Sequence, residues 1–383
     1  MKRATMLFVL VTAIVGSLVS AQASYSGDRR GQRGDDRDRL VFVQTNELTG
    51  NRIIVYERES NGRLDEQGAY PTGGRGGIAA PGNESDRLAS QGSLLYDARH
   101  SLLFAVNAGS DTVSVFRVRG DRLQLKDVDS SGGDFPASIA VYKNLVYVLN
   151  AGNDGRLQGF RIRGHHLRPI KDSSRSLGLA NTDPPNFLTS PGQVGFTPDG
   201  GKLIVTTKAS RSTIEVFDVR RGGRLSRTPA VNPSSTPVPF AFTFDPSGRL
   251  VSGEAGLSAV TTYAIERDGS LSGAQSLSDN QVALCWIVRA RGFYYVSNTG
   301  SNTLSGYRIN AAGTPSLITP SGIVATTPAG PIDLAVPSDE RYLYAQTGTG
   351  GTIEEFRVKR DGTLTRLGSI TGLPLGMEGI AAT

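Results

Sequence analysis

The chain alternates between short apolar runs and turns rich in glycine, asparagine and charged residues, and this alternation recurs along most of its length. In residues 293–317, two apolar segments flank an Asn-Thr-Gly turn, and a glycine turn then leads into a third segment. Short runs of β-branched and aromatic residues bounded by turn residues predict β-strands joined by hairpins. The pattern therefore predicts a protein built from small antiparallel sheets.

One such unit occurs seven times. Each copy has an apolar run, a second strand that ends near an aromatic residue, and a Gly-x-Leu-like turn. The aromatic residues are Tyr56, Phe116, Phe160, Phe217, Tyr263, Tyr307 and Phe356. A more continuously apolar segment accompanies each unit, as is typical of an inner strand buried on both faces. Four strands in each of seven units predict an all-β, seven-bladed β-propeller with four antiparallel strands per blade.

The two ends of the repeat region predict how the ring closes. The first unit begins at Leu40 and has no inner strand before it, whereas the last apolar segment, residues 378–383, has no unit after it. We therefore expect the C-terminal strand to join the N-terminal blade, since this pairing would cover two otherwise exposed sheet edges.

The region before Leu40 has a different composition. Residues 1–23 combine a basic start, an apolar run and the sequence Ala21-Gln22-Ala23, which is typical of a secretory signal peptide cleaved after Ala23. Residues 24–39 are charged and glycine-rich and are predicted to be a disordered leader, followed by the propeller at residues 40–383. We expect a secreted or periplasmic protein without a transmembrane segment.

Charge and cysteine content exclude several classes of site. The formal charge is +6, and removal of the signal peptide leaves about +4, spread over many hairpins, which does not predict a nucleic-acid groove. The single cysteine, Cys285, permits no internal disulfide and is predicted to be a buried apolar side chain. No spacing of histidines and carboxylates predicts a zinc site. We expect no metal, no cofactor and a monomer.

Two long connections, residues 70–92 and 174–192, suggest where a ligand would bind. In a propeller, such connections and the turns between the second and third strands lie on one face, so both should rim the same mouth of the central channel. The candidate ligand-binding residues near this mouth are Asn107, Asn150, Asn298, Asp333 and Phe240. Turn geometry by itself also explains the asparagines.

The hairpins, together with the segments Phe196-Thr-Pro-Asp-Gly and Phe244-Asp-Pro-Ser-Gly, resemble the lactonase family of seven-bladed propellers. That family includes 6-phosphogluconolactonases and carboxymuconate-lactonising enzymes, and the resemblance covers roughly residues 40–383. It implies an acidic residue at the end of a strand in the fifth blade, matched here by Glu254. The histidine and arginine that the family places at the channel mouth are absent, because those places read Pro191-Gly192-Gln193 and Pro239-Phe240-Ala241.

Opening a lactone requires a base to activate water and donors that hold the developing oxyanion. Glu254 is the candidate base, Lys208 a candidate positive charge and Gln193 a candidate donor. Two functions remain open. The first is a binding propeller that takes a small polar ligand (a carbohydrate, sugar acid or lactone) or a cell-envelope partner on its channel-mouth face. The second is a metal-independent lactone hydrolase or isomerase. The missing histidine and arginine favour the first.

Overall fold

The computed structural model describes residues 39–82 and 84–383. The predicted signal peptide and, apart from Arg39, the predicted leader lie outside these residues. Regular structure in the described part is almost entirely β, with two short 3-10 helices at Ala108–Ser110 and Lys208–Ser210. Neither is long or apolar enough to cross a membrane, nor is any other helix in the described ranges.

Seven antiparallel sheets form the blades, and each blade extends from an inner strand to an outer strand. From the inside outwards, blade 1 contains β30 (Ile380–Ala382), β1 (Leu40–Gln44), β2 (Arg52–Arg58) and β3 (Leu64–Pro71). Blade 2 contains β4 (Leu94–Asp97), β5 (Leu102–Asn107), β6 (Thr112–Arg119) and β7 (Arg122–Ser130). Blade 3 contains β8 (Pro136–Tyr142), β9 (Leu145–Asn150), β10 (Arg156–Arg163) and an outer strand in two pieces, β11 (His166–Pro169) and β12 (Arg175–Ser176).

The remaining blades repeat this order. Blade 4 contains β13 (Gln193–Phe196), β14 (Lys202–Thr206), β15 (Thr213–Asp218) and β16 (Ala230–Pro233). Blade 5 contains β17 (Pro239–Phe244), β18 (Leu250–Glu254), β19 (Ala259–Ile265) and β20 (Leu271–Ser278). Blade 6 contains β21 (Leu284–Ala290), β22 (Phe293–Asn298), β23 (Thr303–Ile309), β24 (Pro315–Leu317) and β25 (Ile323–Thr326). Blade 7 contains β26 (Pro331–Ala335), β27 (Tyr342–Thr347), β28 (Thr352–Val358) and β29 (Leu364–Ile370).

The C-terminal strand closes the ring, and the predicted closure is confirmed. Strand β30 pairs with β1, so that Val41 lies opposite Ala382 and Val43 lies opposite Ile380. At the end of the chain, Thr383 N donates a hydrogen bond to the carbonyl oxygen of Leu40 at 3.0 Å. The first blade therefore takes its inner strand from the far end of the sequence, and β1 is paired along both of its edges.

Adjacent blades pack face to face, and this packing explains why the second strands are apolar on both faces. Every residue of β5 and of β22 is buried, whereas the residues of the outer strands β3, β20 and β29 are half-buried or exposed. Burial of one large apolar side chain contributes about 1.5–3 kcal/mol, and each blade contributes several. The hydrophobic core is therefore a series of interfaces between blades, which suits a fold assembled from repeated units.

The repeated Gly turns have a further role in joining the blades. The hydroxyls of Tyr295 and Tyr344 each donate to the carbonyl oxygen of the turn glycine in the next blade, Gly362 and Gly62, at 2.8 Å in both cases. Both glycines have a positive φ, of 87° and 98°, which a residue with a side chain adopts only with strain. The recurrence of glycine at this turn thus reflects both its backbone conformation and its place under the preceding blade.

Candidate functional site

The connection between blades 1 and 2 crosses the central channel instead of only rimming it. We call residues 84–93 the plug loop. Ser90 Oγ donates to the carbonyl oxygen of Ala137 in blade 3 at 2.8 Å, and Trp286 Nε1 in blade 6 donates to the carbonyl oxygen of Ser90 at 3.1 Å. Gln91 N donates to the carbonyl oxygen of Gly192, just before blade 4, at 3.0 Å. One short segment thus contacts inner strands around the ring and closes one end of the channel. We call this end of the propeller the mouth face.

The second long connection lies against the first on the mouth face, as the sequence predicted. Ala80 N donates to the carbonyl oxygen of Pro185 at 2.8 Å, and Phe187 N donates back to the carbonyl oxygen of Ala80 at 3.0 Å. Hydrogen bonds between two loops satisfy backbone groups that would otherwise lack partners when buried. The two loops therefore form one layer over the channel.

Lys208 lies beneath this layer and is almost fully buried. Its Nζ donates to the carbonyl oxygens of Ala89 at 2.6 Å and Phe187 at 2.5 Å, and to Ser190 Oγ at 2.8 Å. The same nitrogen lies 5.1 Å from the centre of the Phe240 ring. Burial lowers the pKa of Lys208 to about 8, although the nearby Asp86 carboxylate opposes this shift. Lys208 thus fastens both loops to blade 4.

Two buried carboxyl groups face this lysine from the plug loop and from the C-terminal segment. Glu378 accepts hydrogen bonds from Leu88 N at 2.5 Å and Ser90 N at 3.3 Å, and Asp86 accepts one from Ala89 N at 2.8 Å. Burial raises the pKa of Asp86 to about 6, and burial together with the charge of Asp86 raises the pKa of Glu378 well above its usual range. A negative charge on either carboxyl disfavours ionisation of the other, because the site is buried.

Asp333, which the sequence proposed as a ligand-binding residue, lies on the inner strand of blade 7. Its Oδ1 accepts from Leu334 N at 3.0 Å and its Oδ2 from Ile380 N at 3.2 Å. Burial raises its pKa to about 7. The carboxyl group therefore joins blade 7 to the C-terminal strand, and it is buried within the ring.

Glu254 lies between blades 4 and 5. Strand alternation places Leu250 and Glu254 on the same face of β18, and Leu250 packs against blade 4 residues such as Ile204. The Glu254 carboxylate accepts hydrogen bonds from Thr236 N at 2.8 Å, from Thr261 Oγ1 at 2.9 Å, and from the hydroxyls of Thr236 and Tyr263. Burial raises its pKa, and these donors oppose the rise. Its surroundings are those of a structural carboxylate, and its role as a base stays a prediction.

The other predicted residues fall into two groups. Lys208 and Phe240 are brought together, whereas Gln193 uses its side-chain oxygen to accept from Phe242 N at 2.6 Å, which ties blade 4 to blade 5. The described contacts do not join Glu254 to either Lys208 or Gln193. The three residues proposed for lactone opening are therefore not assembled around one space in this structure.

The three asparagines occupy equivalent places at the ends of second strands. Asn107 Nδ2 donates to the hydroxyls of Thr112 at 3.1 Å and Ser114 at 2.8 Å. Asn298 makes the same pair of contacts with hydroxyls in blade 6, and Asn150 donates to the carbonyl oxygens of Arg156 in blade 3 and of Ser131 in the connection from blade 2. All three are buried, so each stabilises its own blade, and their part in ligand binding stays a prediction.

A cleft of about 610 Å³ opens on the mouth face between blades 1 and 2. The side chains that line it include Thr49, Arg52, Arg75 and Ser110, and none of its described lining residues carries a carboxylate. Arg75 is held in place, because its Nη2 donates to the carbonyl oxygen of Gly109 at 2.9 Å and its backbone N donates to Ser110 Oγ at 3.0 Å. The lining of the cleft thus includes two arginines and two residues with hydroxyl groups.

The glycine-rich segment 73–77 brings the backbone close to the floor of this cleft. A Cβ atom added at Gly74 would lie 2.5 Å from the Asn107 side chain, so a larger residue could not be accommodated there without movement. Asn51 lines the cleft and donates from Nδ2 to Asn107 Oδ1 at 3.0 Å. Asn107 therefore lies directly below the cleft and supports its wall.

No known protein-family model matches this chain, and no curated protein resembles it in sequence. A solved structure from Lactobacillus plantarum has 18% sequence identity and a TM-score of 0.71, with 90% of this chain and 98% of that chain covered. The periplasmic gluconolactonase of Pseudomonas aeruginosa has 15% identity and a TM-score of 0.67, with 89% and 98% covered. A "putative 6-phosphogluconolactonase" from Bacteroides fragilis has 16% identity and a TM-score of 0.67, with 88% and 96% covered. This chain therefore shares the fold of these structures, a seven-bladed propeller.

Sequence reasoning missed the residues that close the channel of this seven-bladed propeller. Asp86 and Glu378 are 292 positions apart and lie in irregular segments, so no periodicity connects them. The sequence feature that could have pointed to Glu378 is a charged residue directly before an apolar inner strand, in Met377-Glu378-Gly379-Ile380. Among the described residues, no three His, Cys, Asp or Glu side chains are arranged to hold a metal ion.

Proposed function

We propose that this protein is an exported binding propeller that takes a small acidic sugar derivative in the cleft that Arg52 and Arg75 line on its mouth face. The observation that carries this proposal is the cleft itself, where Arg52 and Arg75 line a space of about 610 Å³ and none of the lining residues carries a carboxylate. Guanidinium groups form paired hydrogen bonds with carboxylates, and the hydroxyls of Thr49 and Ser110 suit the hydroxyls of a sugar.

The closed channel supports a site on the rim. The plug loop uses the hydrogen-bonding capacity of Lys208 and covers the buried carboxyls, so a ligand cannot reach them without displacing protein. The cleft, in contrast, is open to solvent and partly preformed, since Arg75 is already fixed by two contacts. Preformed polar groups lower the ordering cost of binding.

The structural neighbours favour the same ligand class. One is named a periplasmic gluconolactonase, and another a "putative 6-phosphogluconolactonase". Opening of a gluconolactone gives a sugar acid, whose carboxylate would suit the two arginines of the cleft. Export agrees with the periplasmic neighbour and with the apolar N-terminal run in residues 6–19.

Calorimetric titration of the purified protein with gluconate, glucuronate, gluconolactone and glucose tests this proposal. We expect the two acids to bind, glucose to bind at least tenfold more weakly, and Arg75→Gln to weaken acid binding at least tenfold. Arg360→Gln, in an exposed turn at the other end of blade 7, is the matched control and should bind normally. Acid binding that survives both Arg75→Gln and Arg52→Gln would place the ligand elsewhere.

The alternative proposal is lactone hydrolysis or isomerisation with Glu254 as the base. It requires turnover of the lactone in the same preparation, followed over time by the release of acid. Turnover that disappears in Glu254→Gln, while the variant stays folded, would favour this alternative over a binding protein. Turnover that persists in Glu254→Gln would exclude Glu254 as the base.

A further inference from the structure

A strongly basic pocket lies on the outer side of the ring between blades 3 and 4. It has a volume of about 500 Å³, and we call it the arginine pocket. Its charged lining residues are Asp172, Arg175, Arg220, Arg221, Arg224 and Arg227. Four of the arginines belong to the turn between β15 and β16, which lies at the opposite end of the blade from the mouth face. This pocket is therefore separate from the proposed sugar-acid cleft.

Two of the five arginines are fixed by uncharged partners. Arg175 donates from Nε to the carbonyl oxygen of Ser226 at 2.7 Å and from Nη2 to that of Leu225 at 2.6 Å. Arg224 donates from Nε to the carbonyl oxygen of Lys171 at 3.1 Å. Backbone carbonyls orient a guanidinium group without neutralising it, so these side chains form a positively charged wall that is already in position.

The other three, Arg220, Arg221 and Arg227, are exposed around the same space. No ion pair within the described residues involves any of the five arginines. Five arginines and one aspartate give the lining a formal charge of 5 − 1 = +4. Such a concentration of like charge costs stability through repulsion, and a bound anion would relieve it.

The positive surface continues into a neighbouring cleft of about 460 Å³. This cleft shares Arg220 with the arginine pocket and adds Lys143, Arg161 and Arg163, with no carboxylate among its lining residues. Arg161 Nη2 donates to the carbonyl oxygen of Gly222 at 2.9 Å, so its guanidinium also has a neutral partner. A ligand longer than one pocket would meet further positive charge.

We propose that the arginine pocket binds a ligand with two or more adjacent phosphoryl groups. A phosphoryl group carries a charge of about −1.5 to −2 at neutral pH, so two of them balance a lining charge of +4. The planar guanidinium fork matches two phosphoryl oxygens at once, and its pKa keeps it charged. None of the residues that line the arginine pocket is aromatic, so the pocket lacks a surface on which a nucleobase would stack. The phosphoryl groups are therefore the recognised element.

The test is calorimetric titration of the purified protein with tripolyphosphate, pyrophosphate, orthophosphate and citrate at one ionic strength. We expect tripolyphosphate to bind at least tenfold more tightly than citrate. Pyrophosphate, whose charge at neutral pH is close to that of citrate, should also bind more tightly than citrate, because its geometry suits the guanidinium groups. The variant Arg221→Gln/Arg227→Gln, which alters two exposed side chains, should bind tripolyphosphate at least tenfold more weakly. Equal affinity for citrate and tripolyphosphate would overturn the proposal, because it would show only general attraction between charges.

A matched control variant separates the effect of the pocket arginines on binding from the effect of the protein's net charge. Lys359→Gln/Arg360→Gln removes two positive charges from the corresponding turn of blade 7 and should change tripolyphosphate affinity less than twofold. A loss as large as that of the pocket variant would overturn the proposal. Vesicles that contain a bisphosphorylated lipid distinguish two sources of the phosphoryl groups. If the protein binds the vesicles and tripolyphosphate displaces it, the ligand is a lipid headgroup. If the protein binds tripolyphosphate but not the vesicles, the ligand is soluble. Absence of both kinds of binding at millimolar concentration would refute the site.

Discussion

The buried carboxyl group of Asp333 should make this protein less stable as the pH rises through neutrality. Asp333 is only 3% exposed, and its two oxygens accept from Leu334 N and Ile380 N. Burial raises the pKa of the folded state to about 7, from 3.8 for an ordinary aspartate. Replacing this residue with asparagine removes the titrating group and keeps a side chain of nearly the same size.

The direction and size of the effect follow from proton linkage. Below about pH 4 the Asp333 carboxyl is protonated in both the folded and the unfolded state, so its contribution to the free energy of unfolding is fully present. Between about pH 4 and 7 the unfolded chain releases the proton while the folded protein keeps it, and the contribution is lost as the pH rises through the folded pKa. A shift of about three pH units corresponds to about 4 kcal/mol in total, of which about 2–3 kcal/mol falls between pH 5 and 8.

Urea unfolding at pH 5, 6, 7 and 8 measures this difference. We expect the free energy of unfolding of the wild type to fall more steeply than that of Asp333→Asn, by about 2–3 kcal/mol over the interval. Because the comparison uses the slope of the free energy of unfolding against pH, a hydrogen bond that the substitution weakens equally at every pH does not affect the result. Asp121→Asn, at an exposed position, should keep the wild-type slope. Parallel slopes for wild type and Asp333→Asn would refute the assignment of a buried proton to Asp333.

Three further changes test the ring and the plug loop. Lys208→Met should lower the free energy of unfolding by about 3–5 kcal/mol, because buried carbonyls and a carboxylate lose their cation; a loss below about 1 kcal/mol in urea would contradict the buried contacts. Deleting residues 378–383 should lower the melting temperature by more than about 10 °C or prevent folding, and unchanged melting would disprove ring closure. Glu254→Gln should cost about 1–3 kcal/mol, since an amide nitrogen would face hydrogen-bond donors; an unchanged unfolding curve would show that these contacts are dispensable.

The blades could be predicted because their signals are local and repeated. Seven similar units reinforce one another, so the strand order and the ring closure through residues 378–383 followed without knowledge of the contacts. The turn glycines also marked each repeat, and the structure explains why glycine recurs there. Gly362 has a positive φ, and its carbonyl oxygen accepts a hydrogen bond from the hydroxyl of Tyr295 in the previous blade. The repeat therefore encodes both the hairpin and the joint between blades.

The candidate site was harder to predict from the sequence than the fold, as Glu254 illustrates. Its position at the end of a strand was correctly predicted, but the direction of its side chain depends on strand register. Register places Glu254 on the face with Leu250, toward blade 4, where four donors surround its carboxylate. A short motif does not contain this information, because a shift of one residue would turn the side chain to the opposite face.

The sequence by itself determined the number of blades, the four-strand pattern and the closure of the ring, because hydrophobic alternation and turn residues act over short distances. Only the tertiary structure decided that residues 84–93 cross the channel, that Lys208 is buried beneath them, and that Asp86 meets Glu378. The path of an irregular loop depends on which distant groups can satisfy its backbone and its charges, and those partners exist only once the ring has formed.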